Sequence, residues 1–172
     1  LLGVLLAISF HEFAHAFAAT KLGDDTARMA GRLTLDPVKH IDPVGFMSML
    51  LVGWGWAKPV PINPRRFKSL RRDEFLVSLA GPGANLVLAL ISFVALVVGY
   101  GVLGFENEVF LNVFYFIYSL NILFMLFNLL PIPPLDGYHI FKNLFIRVIP
   151  YQFFATYEQY GMFVLIALVL LG

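Results

Sequence analysis

His11, Glu12 and His15 form a His-Glu-x-x-His pattern, HEFAH, inside the run SFHEFAHAFAAT from Ser9 to Thr20. Residues four apart lie one turn above each other on a helix face, so the two imidazoles are spaced to ligate one cation. Glu12 is displaced around the helix from His11, a geometry in which a carboxylate takes a proton from a water on that cation. The chain has no cysteine, so disulfides and thiolate sites are excluded and a metal must be held by His, Asp or Glu. A bare match to this pattern also has a bland reading, two histidines satisfied by packing or backbone contacts. The surroundings weigh against it. The run is otherwise apolar, and an ionisable group at membrane depth costs at least about 2.5 to 3.5 kcal/mol, so three such groups within five residues need a use.

A catalytic zinc takes three protein ligands and keeps one open position. Asp136, His139, His40 and the aspartates between Leu22 and Asp73 are the candidates for the third. Asp136 follows NLLPIPP, where prolines bend the chain and free backbone groups; its alternative role is the N-cap of the helix that LDGYHIF would start. His139 is the rival, because imidazole is an equally good ligand. Counted as helix rise from the nearest basic residue, His11 lies roughly 15 Å from Lys21, Asn85 roughly 20 Å from Arg72 and Asp136 roughly 9 Å from Lys142. All three share one half of a bilayer. In AGPGAN, Ala80 to Asn85, small residues allow close helix contact, and Asn85 is a candidate donor to a substrate carbonyl.

The elements that must carry these residues are apolar. Of 172 residues, 59% are hydrophobic and 13% charged, and mean hydropathy is +0.80, which predicts an all-α integral membrane protein, a polytopic helix bundle forming one domain. Spans are expected at about 1–20, 75–103, 109–130 and 157–171, with an amphipathic helix at 135–149 and an aromatic belt before the last span. TARMAGRLTLDP alternates apolar and polar residues, so a small β-hairpin or sheet is expected within 25–64. The apolar middle of DPVGFMSMLLVGWGWAKPVPINP is short and glycine-rich, which fits a re-entrant or interfacial segment; Gly53, Trp54 and Gly55 fit an element near a water entrance, with a plain interfacial loop the commoner reading. The stretch Trp54 to Ile62, or the strand pattern before it, offers an edge to which an extended peptide segment can add. The first residue, Leu1, is not methionine, so a trimmed amino terminus is expected; a cleaved signal peptide is not.

Ten of the twelve Lys and Arg residues lie from Lys21 to Arg72, and Lys142 and Arg147 follow the third span. If the middle segment dips without crossing, one orientation puts all twelve on the cytoplasmic side of a prokaryotic cell membrane, and the site with them. A formal net charge of +1 gives no reason to expect a nucleic-acid partner.

HEFAH in one span, GPGAN (Gly81 to Asn85) in a second and NLLPIPPLDG (Asn128 to Gly137) after a third resemble, in that order, the site-2 protease family of intramembrane metalloproteases. GRLTLDPVKHIDPVGF and GWAKPVPINPRRF are similar to its small bacterial and archaeal members, and no PDZ-like or CBS-like stretch is present in these residues. The resemblance implies His11, His15 and Asp136 as zinc ligands, Glu12 as general base, and Asn85 and Asn128 as polar site residues. It also implies one zinc per chain, with transmembrane protein substrates cleaved in the lipid bilayer. A membrane metal transporter and an inactive scaffold are the alternatives, the first lacking a use for Glu12 and the second disfavoured by an intact HEFAH.

Overall fold

The computed structural model describes residues 2–53 and 55–171. Its backbone is a succession of helices: α1 (Leu2–Lys21), α2 (Thr26–Met29), α3 (Pro37–His40), α4 (Pro43–Val52), α5 (Leu70–Leu96), α6 (Glu108–Asn128), α7 (Asp136–Phe145) and α8 (Tyr151–Leu171). Gly3–Lys21, Leu70–Val102 and Glu108–Asn128 are long and apolar enough to cross a membrane. The long second helix, α5, continues into a wider π-turn over Val97–Val102 and packs against α1, α6 and α7. Its outward face, including Val87, Leu90, Ile91 and Phe93, is exposed, as expected of a lipid-facing surface. α8 covers the last expected span but starts at Tyr151, so the expected aromatic belt lies inside its first turns.

The region between α1 and α5 departs from the sequence reading. Among the described residues there is no strand, and the expected β-hairpin is replaced by short helices and one isolated antiparallel bridge, Ile41 to Ala57. Two Asp-Pro pairs explain the difference. The Asp36 side chain accepts from the Val38 N–H and Asp42 from the Val44 and Gly45 N–H groups, with Pro37 and Pro43 opening α3 and α4. An aspartate cap followed by a proline at the first helical position is a helix start, and it outweighs a short run of alternating polarity. Gly31, at φ 68°, turns the chain before α3 and removes the rest of the expected strand. α4 is ten residues, roughly 15 Å of helix and half the hydrocarbon thickness. Trp54 lies outside the described residues.

From Trp56 to Asn63 the chain runs as an extended strap held by side chains rather than by a sheet. Lys58 N–H donates to the His40 carbonyl. Arg32, a buried guanidinium, donates to the Pro59 and Lys58 carbonyls at 3.2 and 2.6 Å. The Asn63 N–H donates to Asp24 at 2.6 Å. Prolines 59 and 61 have no N–H to give, which leaves the Val60 N–H as the one donor between them.

Candidate metal centre

His11 and His15 project from the same face of α1 toward α5, and both are buried. His15 Nδ1 lies 2.7 Å from the Val77 carbonyl, which can only accept, so Nδ1 carries the proton. His11 Nδ1 lies 2.7 Å from Asn85 Oδ1. The Asn85 amide nitrogen donates to the Ala7 carbonyl at 3.1 Å and to Asn121 Oδ1 at 2.8 Å, so its oxygen faces His11 as an acceptor. Asn121 in turn donates to the Ile117 carbonyl within α6. Both rings therefore hold the tautomer that leaves Nε2 with a free lone pair.

Those two Nε2 atoms face each other at 3.0 Å, and Asp136 Oδ2 stands 3.1 Å from His11 Nε2 and 3.2 Å from His15 Nε2. Asp136 Oδ2 is buried with no hydrogen-bond donor among the described residues. Three lone pairs thus point at one another, and a single proton can fill only one edge of the triangle. A divalent cation satisfies all three. Donor atoms about 2.0 to 2.1 Å from one tetrahedral zinc lie roughly 3.3 Å apart, so the spacing fits, and His2Asp leaves the fourth position open. These three residues are the His/Asp/Glu group that could hold a metal among the described residues.

The third-ligand alternatives are placed elsewhere. Leu135, not Asp136, is the N-cap of α7, and Asp136 is its first helical residue with its carboxylate turned to the histidines. His139 is partly exposed, with Nδ1 3.4 Å from Glu74 Oε1. His40 is fully buried and donates from Nε2 to the Thr34 carbonyl at 2.7 Å, while Arg32 approaches its Nδ1 at 3.4 Å. Asn128 donates to the Phe124 carbonyl one turn back in its own helix. Asn85 was expected to donate toward substrate, but it is fully buried and both its donor bonds run to Ala7 and Asn121, so here it orients His11 instead.

Glu12 lies beside the ligands, only 9% exposed, and its Oε2 accepts from the Val60 N–H of the strap at 3.2 Å. α5 passes directly against the imidazoles at Gly81, where an added Cβ would lie 2.3 Å from His15 Nε2 and 2.7 Å from two His11 ring atoms. At Gly137 an added Cβ would meet the Leu129 and Leu130 carbonyl oxygens at 2.2 and 2.4 Å, so glycine lets α7 abut the end of α6 and bring Asp136 in. Sequence reasoning did not reach the Val77 carbonyl, Asn121, Arg32 or the Val60 N–H. Asn121 alone had a signal, a polar side chain in an apolar span at helix spacing; the others act through backbone atoms or fold across long loops.

The chain is similar to proteins of bacterial origin. The family profile described as Peptidase family M50 matches residues 103–172. A Bacillus subtilis (strain 168) protein named "Putative zinc metalloprotease YwhC" is 48% identical over 147 residues, 82% of this chain and 66% of the relative. Proteins named "Putative zinc metalloprotease Rip2" from Mycolicibacterium smegmatis and Mycobacterium tuberculosis H37Rv are 35% and 34% identical over 142 residues, 79% of this chain and 53% of each relative. The chain thus spans about two thirds of the first and about half of the others. No solved structure matches it significantly.

Proposed function

This chain belongs to peptidase family M50, the site-2 protease family, and on that premise we propose that it is a zinc metalloendopeptidase that cleaves transmembrane segments of other membrane proteins. The observation that carries the reading is the triangle of possible ligand atoms, His11 Nε2, His15 Nε2 and Asp136 Oδ2, with a buried carboxylate, Glu12, at its side. A storage or transport site needs the triangle but not the carboxylate.

His11, His15 and Asp136 would hold the zinc, whose chemistry when bound is Lewis acidity, lowering the pKa of water and polarising a carbonyl. Glu12 accepts the proton of the attacking water at its carboxylate and passes it to the amine that leaves. Val77 and Asn85 keep the imidazoles in the ligating tautomer and orientation throughout. The Val60 N–H holds Glu12 Oε2 in a fixed direction, so one carboxylate oxygen is oriented while the other remains for the proton. A substrate helix hides its amides in its own hydrogen bonds and must unwind locally before attack. In the orientation that collects the basic residues on one side, the site opens toward the cytoplasm of a prokaryotic cell.

The test is the purified chain with a single-span substrate. Glu12→Gln should bind zinc as the parent does and lose cleavage by at least about a thousandfold, the upper scale of a positioned general base. A zinc-loaded Glu12→Gln protein cutting at the parent rate would overturn the enzyme reading.

A further inference from the structure

At the far end of α7 from Asp136 lies a second concavity, of about 310 Å3, lined by Arg71, Arg72, Phe75, Asn143, Leu144 and Arg147. Arg71 and Arg72 come from the first turn of α5, and Arg147 follows the end of α7. Among the described residues, none of the three guanidiniums forms an ion pair or hydrogen bond. The carboxylates that could neutralise them are committed elsewhere. Asp73 is buried and accepts from the Ser69 N–H, Glu74 lies 3.4 Å from His139 Nδ1, and Glu158 pairs with Lys142 at 2.6 Å. Three like charges therefore converge on one hollow without a counter-ion, which is a state that an anion relieves.

The apolar part of the hollow says which anion. Phe75 and Leu144 form part of its wall, and from Phe75 inward α5 carries no charged residue, with Leu76 and Leu79 exposed along its outer face. The arginines thus sit where a membrane-spanning helix leaves the hydrocarbon, and the wall beside them leads toward lipid. A free phosphate uses the guanidiniums and leaves Phe75 and Leu144 idle; a phospholipid uses both, its phosphodiester on the arginines and its acyl chain along the apolar wall.

We propose that Arg71, Arg72 and Arg147 form a binding site for the headgroup of an anionic phospholipid, clamped between the start of α5 and the end of α7. Because α7 begins at the zinc ligand Asp136 and ends at this site, a lipid bound there also braces the helix that carries the third ligand.

The test uses the whole chain, reconstituted with phosphatidylcholine and phosphatidylglycerol, released from the bilayer and read by native mass spectrometry. The parent should retain one phosphatidylglycerol in preference to phosphatidylcholine. Combined Arg71→Gln, Arg72→Gln and Arg147→Gln should lower that retention at least about tenfold, since each basic group near an anionic surface contributes measurably. A control, combined Arg28→Gln, Lys39→Gln and Lys58→Gln, removes the same charge far from the hollow and should stay within about twofold of the parent. Equal loss in the control, or unchanged retention in the arginine variant, overturns the proposal. Displacement of phosphatidylglycerol by millimolar inorganic phosphate would make this a phosphate site and overturn the lipid assignment. If the triple variant does not fold, judged by its zinc content, Arg147→Gln alone is read in the same way and should lose about threefold.

Discussion

A single methyl group decides whether the metal ligands can meet. Gly81→Ala would put a Cβ within 2.3 Å of His15 Nε2, so it should abolish stoichiometric zinc binding and cleavage together, as read by metal analysis of the purified variant. Gly83→Ala, two residues on, meets nothing within 4 Å and should raise thermal stability by up to about 1 kcal/mol with zinc content intact, because it only removes a helix-interior glycine. Asn121→Leu tests the chain behind His11. It removes the acceptor that fixes the Asn85 amide, and zinc affinity in chelator competition should fall by about 10- to 100-fold while the protein remains folded. At this scale the sequence was legible where chemistry repeats along one helix, as in His11, Glu12 and His15. It was illegible where the partner is a carbonyl 62 residues away, as Val77 is from His15.

Among the elements, the strap from Trp56 to Asn63 depends on side chains reaching it from three directions: Arg32, Glu12 and Asp24. Arg32→Ala should release its centre, and backbone amide exchange at Lys58 and Val60 should quicken by at least about tenfold, the scale of losing hydrogen bonds to a charged group. The Asp24 grip is pH-dependent. Burial pushes its carboxyl up, but the Thr26 hydroxyl, the Asn63 and Thr26 N–H groups and Arg66 outweigh it and hold the pKa below the usual carboxylate value. A lowered folded-state pKa contributes stability above the unfolded pKa and loses it as pH falls through the folded one. Protection of the Asn63 amide, its exchange relative to the intrinsic rate at each pH, should therefore be flat from neutral to about pH 4 and fall below it, and Asp24→Asn should flatten that fall. Helix positions were legible from apolar length and from prolines. The hairpin expectation failed because the alternation in TARMAGRLTLDP ends in one Asp-Pro helix start, Asp36-Pro37, and is followed by a second, Asp42-Pro43.

For the molecule as a whole, a metal held by His11, His15 and Asp136 would join α7 to α1, while α7 also packs on α5. α1 and α5 are tied independently of it through the Val77 carbonyl and Asn85, whereas Asp136 Oδ2 has no donor of its own among the described residues. Stripping zinc with a chelator should leave exchange in α1, α5 and α6 within about twofold of the loaded protein while α7, Asp136 to Phe145, exchanges at least about tenfold faster. Equal loosening of all four helices would mean that the metal holds the bundle rather than α7 alone.

By itself the sequence determined the class of protein, its apolar helices and two candidate ligands with a candidate base, because hydropathy and helical spacing are local properties that one stretch of chain carries. It left Asp136, His139 and a capping role open on residue pattern, and the family resemblance only favoured Asp136. Tertiary structure brought Asp136, and not His139, to the two imidazoles and set Asn85 against His11, because both depend on which atoms α5 and α7 present to α1. SFHEFAHAFAAT supplies two lone pairs; the third comes from the first residue of α7, 121 residues beyond His15, and only the fold measures that separation as 3.2 Å.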